Sequence, residues 1–212
     1  MISEPATLFT DYVLAAANTF FGARLLRLSS RAARFWAAGF LALAVSAAIG
    51  GTFHGFRALL TPGTLVLMWQ VTEIAIGVAS LCLLMALAHA YLGGTAKQGL
   101  AGFAIVKFAL YCLAVALTDR YLVAVADTGV TMLIALVLAL QAWVVGHEPS
   151  ARWLVAGVLV SVAAAGVQAA GLAPHRHFNH NDLYHVIQLL GMYLLYRGGR
   201  LFENRVGPAS SL

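Results

Sequence analysis

Charged residues are scarce in this chain. Lysine, arginine, aspartate and glutamate make up 10% of 212 residues, whereas 61% are hydrophobic, and the mean hydropathy is +0.85. A soluble globular protein carries about 25% charged residues, so this composition excludes a soluble globule with a polar shell. The net charge of +5 comes without a basic patch interleaved with aromatic residues on a soluble face. Nucleic acid is therefore not expected as a partner.

Cysteine is almost absent, and the first residues lack the pattern of a secretory leader. The two cysteines, Cys82 and Cys112, fall inside apolar segments. We interpret them as small packing residues, which excludes a disulfide framework or a thiolate metal site. The first residues include Glu4 and Asp11 and no basic stretch, so a cleavable signal peptide is not predicted.

Long apolar runs are what the chain has in abundance. A helix needs about 20 apolar residues to cross the hydrocarbon core of a bilayer. Seven segments meet this requirement: 5–26, 33–56, 63–92, 98–118, 120–146, 151–172 and 181–201. Because backbone groups in lipid must be satisfied within each segment, these runs predict helices. We therefore predict an all-α integral membrane bundle of seven transmembrane helices, forming a single domain over 1–212 with the lipid bilayer as its surroundings.

Basic residues are distributed unevenly between the two sides of this bundle. The first connection carries four arginines: Arg24, Arg27, Arg31 and Arg34. The opposite side carries only three basic residues: Arg57, Arg120 and Arg176. The positive-inside rule then places the N-terminus outside and the C-terminus in the cytoplasm. We expect a multi-pass protein of the bacterial inner membrane, and the pattern leaves the oligomeric state open.

Histidines cluster at the start of the seventh segment. Four of the seven histidines lie between His175 and His185, with Asp182 among them. Ionisable groups within or at the edge of a membrane are costly, so they are candidates for function. Asn179 or Asn181 is placed to cap the seventh helix.

Other polar residues lie at a similar depth in other segments. Alternation of helix direction puts five of them in the outer half of the bundle: Asp11, His54, Glu73, Asp127 and His185. This convergence predicts one outward-facing polar pocket, to which Asn181, Thr52 and Ser46 are further candidates. Alternatively, Glu73 and Asp127 pair with Lys107 on the fourth helix, because buried charges need partners.

The pocket residues include the ligand types that zinc prefers. His54 and His185 supply two imidazoles from two helices, and His180 is the first candidate for the third ligand. His177 and Asp182 are the alternatives for that position. A zinc ion with three protein ligands and a water lowers the pKa of that water to about 7. Glu73 or Asp182 would then serve as the catalytic general base.

These residues give the chain a resemblance to a known group. Seven helices, a histidine ending helix two, an acid in helix three and histidines opening helix seven resemble the CREST superfamily, which includes alkaline ceramidases and the progestin and adipoQ receptors. The pattern of that superfamily is S-x3-H on helix two, an aspartate near helix three and H-x3-H on helix seven. Here His54 is preceded at that spacing by Gly50, His185 by Asn181, and the acid is Glu73.

The resemblance implies a zinc-dependent membrane hydrolase that cleaves an amide or ester bond of a membrane lipid. The alternative is a non-enzymatic metal-binding or sensory membrane protein, which the missing serine favours. A carrier using Glu73, Lys107 and Asp127 is less well supported, because the inner half of the bundle is almost free of charge. A retinal-binding pump is disfavoured because helix seven has no lysine.

Overall fold

The structure, a computed structural model, describes residues 2–118 and 120–202. Seven α-helices make up nearly all of this part of the chain: α1 (Pro5–Leu25), α2 (Arg31–Phe56), α3 (Pro62–Tyr91), α4 (Gly94–Leu117), α5 (Leu122–Val144), α6 (Ala151–Ala169) and α7 (His180–Gly199). Each begins and ends within four residues of the segment predicted from hydropathy. A short 3-10 helix, Arg57–Leu59, follows α2.

Five of these helices, α2 to α6, are long and apolar enough to cross a membrane. Their outward surfaces carry large apolar side chains, such as Leu113 and Leu117 on α4 and Val137 on α5. Exposed apolar surface on this scale suits contact with lipid rather than water. The all-α membrane bundle predicted from the sequence is confirmed. The two more polar helices, α1 and α7, pack side by side.

Six helices form a closed ring in the order α1, α2, α3, α5, α6 and α7, and α7 returns to α1. The remaining helix, α4, packs outside the ring against α3 and α5. Glycines allow close approach where consecutive helices touch. A Cβ on Gly51 of α2 would lie 2.7 Å from the Cβ of Asp11 on α1, and one on Gly198 of α7 would lie 1.9 Å from Leu154 of α6.

The two ends of the ring differ in composition. At one end, which we call the Trp36 end, aromatic residues fill the space between α1, α2 and α7. Phe21 stacks on Tyr196 with ring centroids 4.6 Å apart, and the Trp36 indole donates a 3.0 Å hydrogen bond to the Leu195 carbonyl. The opposite end, which we call the His54 end, contains most of the polar groups described below. The ring is therefore closed at the Trp36 end.

Helix α7 begins with a complete capping box at the His54 end. The Asn179 side chain accepts from the backbone N–H of Asn181 and Asp182, and the Asp182 carboxylate accepts from the Asn179 N–H at 2.7 Å. This arrangement satisfies backbone donors that the first turn of a helix leaves open. The predicted cap by Asn179 is confirmed. It fixes the rotation of α7, and therefore the direction in which His185 points.

Candidate functional site in the central cavity

A cavity of about 640 Å³ lies inside the ring of six helices. This volume is within the range of about 300–1,000 Å³ that is typical of small-molecule sites. Polar side chains concentrate at its His54 end: Asp11, His54, Thr72, Gln168, Asn181 and His185. Further in, the walls are mainly apolar: Leu43, Leu83, Met132, Leu136, Val158 and Met192. The cavity therefore changes from polar to largely apolar along its length.

The closest pair of ionisable groups in the cavity is Asp11 on α1 and His185 on α7. The Asp11 Oδ1 and His185 Nε2 atoms are 3.3 Å apart, and both side chains are about nine-tenths buried. The other ring nitrogen, Nδ1, lies 2.9 Å from the Thr10 hydroxyl oxygen. The two most polar helices thus meet through an acid, an imidazole and a hydroxyl.

Both ring nitrogens of His185 have polar neighbours. The Thr10 hydroxyl lies 2.9 Å from His185 Nδ1 and 3.1 Å from the Thr7 carbonyl, and it has one hydrogen to donate. When that hydrogen goes to Thr7, the hydroxyl accepts from Nδ1; when it goes to Nδ1, a neutral ring carries its proton on Nε2, which faces Asp11. Either arrangement places Asp11 and His185 close enough to exchange a proton.

His54 lines the cavity from α2 and belongs to a second polar contact. Its Nδ1 lies 3.3 Å from Glu4 Oε2, and Arg57 lies 3.3 Å from the other oxygen of the same carboxylate. The Ser3 N–H donates to the Gly55 carbonyl at 2.9 Å, which fixes the beginning of α1 to the end of α2. These contacts hold His54 at the rim of the cavity, about one quarter exposed.

Of the three additional pocket candidates, two line the cavity and one does not. Ser46 and Asn181 line the cavity. Asn181 accepts a 2.9 Å hydrogen bond from the Gln168 amide, which joins α7 to α6 at the His54 end. Thr52 does not line the cavity; its hydroxyl donates to the Ala48 carbonyl and contacts the Tyr12 hydroxyl.

Two residues predicted at the opening of α7 do not reach the cavity lining. Asp182 is 1% exposed, and its Oδ1 accepts a 2.8 Å hydrogen bond from the Thr7 hydroxyl. Because its other oxygen completes the capping box, both Asp182 oxygens hold the helix start in place. His180 is half-buried as the first residue of α7, beside the cavity-lining Asn181.

The acids of α3 and α5 face away from the cavity. Asp127 pairs with Lys107 of α4, as one of the two sequence interpretations predicted. Glu73 is 2% exposed, and its backbone carbonyl accepts a 2.7 Å hydrogen bond from the Tyr111 hydroxyl on α4. Tyr111 also packs against Gly77, one turn beyond Glu73. This face of α3 thus contacts α4 rather than the centre of the ring.

The expectation of one convergent pocket is therefore only partly right. Asp11, His54 and His185 line the cavity, whereas Glu73, Asp127 and Asp182 do not. Similar depth along a helix says nothing about the direction of a side chain around that helix. Because α4 packs outside the ring, Asp127 and the backbone carbonyl of Glu73 bind residues of α4 instead.

Zinc would need three protein ligands brought to one point. In residues 2–118 and 120–202, no group of three or more histidine, cysteine, aspartate or glutamate side chains is placed to hold a metal ion. The cavity offers the imidazoles of His54 and His185, while His180 does not line it. The predicted ligand set thus does not fit this arrangement, and zinc binding stays a prediction.

Sequence reasoning missed three residues that build the site: Thr10, Asn18 and Gln168. Asn18 follows Asp11 by seven residues, a spacing that places both on one face of a helix. Polar residues at this spacing in an apolar segment were an available signal for Asn18. Thr10 and Gln168 act through partners on α7, which no local pattern reveals.

Comparison with known proteins supplies a family and no activity. No curated protein and no solved structure matches the chain. The resemblance to the CREST superfamily stays a prediction. A family model described as "Family of unknown function (DUF6962)" matches residues 6–204, nearly the whole chain. The chain therefore belongs to the DUF6962 family.

Proposed function

We propose that the protein binds an amphipathic, lipid-like molecule inside its ring of helices. The observation that carries this proposal is the change from polar to mainly apolar walls along one cavity of about 640 Å³. A polar head would lie between Asp11, His54 and His185, and an apolar chain would extend toward the Trp36 end. Burial of that chain against leucine and methionine side chains supplies the main free energy of binding.

The lining of the His54 end favours an uncharged head with hydrogen-bonding groups. Thr72, Gln168 and Asn181 offer a hydroxyl and two amides, which bind ester, amide or hydroxyl groups equally well. Among the described cavity-lining residues, the one carboxylic acid is Asp11, and it faces His185 at 3.3 Å. The pair thus presents little net charge to a ligand when it holds its proton.

A matched pair of glycine variants tests whether the cavity is the binding site. Gly129 lines the cavity and Gly102 lies on the exposed surface of α4; a Cβ at either position meets no atom within 4 Å. Gly129→Leu should abolish binding of a fluorescent long-chain acyl ethanolamide to the protein in nanodiscs, whereas Gly102→Leu should leave it intact. Equal binding by both variants, or no saturable binding by the wild type, would contradict the proposal.

We also propose that the His54 end faces the outside of a cytoplasmic membrane. Basic residues concentrate at the Trp36 end, where Arg24, Arg31, Arg34, Lys97, Arg152, Arg197 and Arg200 lie. The positive-inside rule assigns that end to the cytoplasm. Arg205, counted in the same way, lies outside the described residues. The cavity would then receive its ligand from the outer leaflet or the outer aqueous phase.

Cysteine labelling tests this orientation. In a background of Cys82→Ala and Cys112→Ala, a cysteine replacing the exposed His175 should react with a membrane-impermeant maleimide in intact cells. A cysteine replacing Lys97 should react only after the membrane is opened. The reverse pattern would invert the proposed orientation.

A lipid hydrolase, as the CREST resemblance implies, is the second candidate. The Asp11–His185 pair favours it, because a paired carboxylate and imidazole can exchange a proton with a reacting group. A water molecule would attack the acyl carbonyl, its proton would pass to the pair, and the pair would return that proton to the departing amine or alcohol. This step uses residues of the cavity alone.

Fatty-acid release decides between the two candidates. The hydrolase predicts release of fatty acid from an acyl amide or ester probe that is lost in His185→Asn. Zinc content tests the predicted metal site separately. Purified Asn181→His, which restores the H-x3-H spacing at a cavity-lining position, should contain about one equivalent of zinc. That zinc should be lost when His185→Asn is added. Absence of zinc from Asn181→His would contradict a metal site built on His54 and His185.

A further inference from the structure

A second group of polar side chains lines the cavity beyond the Asp11–His185 pair. Five helices each contribute one member: Asn18 of α1, Ser46 of α2, Ser80 of α3, Ser161 of α6 and Gln188 of α7. All five are buried, with exposures between 3% and 9%. Polar groups inside a membrane bundle are costly unless they bind something. We call these residues the deep polar group.

Asn18 is the member whose hydrogen bonding is incomplete. It is 3% exposed, it lines the cavity, and its Oδ1 has no hydrogen-bond partner among the described residues. Leaving such a buried amide oxygen without a hydrogen bond is destabilising. Asn18 lies seven residues beyond Asp11 on the same helix, which is about 10 Å along the axis. A ligand atom at that depth would complete its bonding.

The other members leave room for a ligand bond. The Gln188 amide donates to the Ser161 hydroxyl at 3.1 Å, which links α7 and α6 on one side of the cavity. Ser46 and Ser80 bring two hydroxyls from α2 and α3, each of which can donate and accept. The apolar lining at this depth, which includes Leu43 and Met192, surrounds the group. A polar atom here would be held in otherwise apolar walls.

We propose that the deep polar group recognises a hydroxyl located partway along the apolar chain of the ligand. A hydroxyl can both donate and accept. It can therefore bond to the Asn18 amide whether the oxygen or the nitrogen of that amide points into the cavity. The inference rests on the proposed function, because it places the head of the same ligand at Asp11 and His185. It names the ligand class as a hydroxylated long-chain amphiphile with about 10 Å between head and hydroxyl.

Three acyl ethanolamides of equal length test the assignment. One has a plain stearoyl chain, one has a hydroxyl on a middle carbon, and one has a hydroxyl next to the terminal methyl. Each competes with the fluorescent acyl ethanolamide for the wild type and for Asn18→Leu in nanodiscs. The wild type should bind the mid-chain hydroxyl probe about tenfold more tightly than the plain probe, as one well-made buried hydrogen bond allows. Asn18→Leu should bind the mid-chain hydroxyl probe and the plain probe equally, with the affinity that the wild type has for the plain probe.

The outcomes separate this inference from the proposed function. Binding of all three probes with equal affinity to the wild type would overturn the deep hydroxyl site and leave amphiphile binding intact. A preference for the plain probe would mean that the group holds water only, and would overturn the inference as well. Failure of every probe to bind would overturn the proposed function itself. If Asn18→Leu does not fold, Ser80→Ala and Ser46→Ala replace it in the test. Each should reduce the tenfold preference for the mid-chain hydroxyl probe over the plain probe. An undiminished preference in both variants would mean that the hydroxyl does not bind at the deep polar group, and would overturn the inference.

Discussion

Two buried acid–base pairs among the described residues lie in different surroundings. Asp11 and His185 join α1 to α7 and line the cavity, with the Thr10 hydroxyl on the other side of the imidazole. Asp127 and Lys107 join α5 to α4 outside the ring, and neither lines the cavity. Both pairs contain an aspartate in an apolar segment, so sequence alone gives them similar weight.

The difference between them separates a structural role from a functional one. The ion pair between Lys107 and Asp127 joins α4 to α5 and holds α4 against the ring. His185 can exist with one proton or two, and its partner faces a space large enough for a ligand. We therefore expect the Asp127–Lys107 pair to control stability and the Asp11–His185 pair, called the cavity pair below, to control binding.

The largest effect is expected from breaking the Asp127–Lys107 pair. Lys107→Leu leaves Asp127 buried without its partner and should lower the free energy of unfolding by about 3 kcal/mol, since a lone buried charge is poorly solvated. The double variant Lys107→Leu with Asp127→Leu should regain most of that loss. Thermal unfolding in detergent measures both, and a harmless single variant would contradict the structural role.

Close packing beside the cavity pair offers the next test. A Cβ on Gly51 would lie 2.7 Å from the Asp11 Cβ, whereas a Cβ on Gly50 would meet only Thr72 at 3.9 Å. Gly51→Ala should therefore push α1 from α2, cost about 2 kcal/mol of stability and weaken probe binding. Gly50→Ala is the matched control and should leave the stability unchanged. Equal stability of the two variants would argue against close α1–α2 packing at Gly51.

Neutralising the cavity pair should affect binding more than stability. Asp11→Asn keeps the shape of the side chain but removes its ability to share a proton with His185. Binding of the acyl ethanolamide should weaken about tenfold, the equivalent of about 1.4 kcal/mol, with little change in the unfolding temperature. A loss of stability as large as that of Lys107→Leu would show that the cavity pair, like the Asp127–Lys107 pair, mainly stabilises the fold.

The smallest effect is expected at Thr10. Thr10→Val preserves shape and removes the hydroxyl that is hydrogen-bonded to His185 Nδ1. The loss of one hydrogen bond should cost about 1 kcal/mol and reduce probe affinity severalfold, since the imidazole is then free to rotate. Thr19→Val, which removes a hydroxyl bonded only within its own helix, is the control. Matching losses in both variants would show that Thr10 does not orient the ring.

Helix positions were readable from the sequence because lipid imposes length and hydropathy on every spanning segment. Asn179 was likewise recognisable as a cap from its place before α7. The exclusion of α4 from the ring was not, because α4 is as apolar as α3 and α5. That exclusion turned Glu73 and Asp127 away from the cavity, where depth alone had placed them with His54.

Depth and spacing in the sequence identified Asp11, His54, Asn181 and His185 as cavity residues, but not the contacts that they make. His185 and Asn181 lie one turn apart, and both line the cavity as the spacing suggested. Asp182 occupies the same turn, yet its partner is Thr7, which is 175 residues away. Contacts at such separation depend on how the ring closes, and no local pattern encodes that.

The closure of the ring has a consequence for synthesis. Thr7 with Asp182 and Thr10 with His185 are pairs that join the first helix to the last. Until α7 has left the ribosome and entered the bilayer, one wall of the cavity is missing and Asp11 has no partner. Such distant contacts form late because a long loop must close first. The nascent chain therefore exposes the Asp11 side of α1 to lipid or to an insertion factor through six helices, and the cavity is complete only with the seventh.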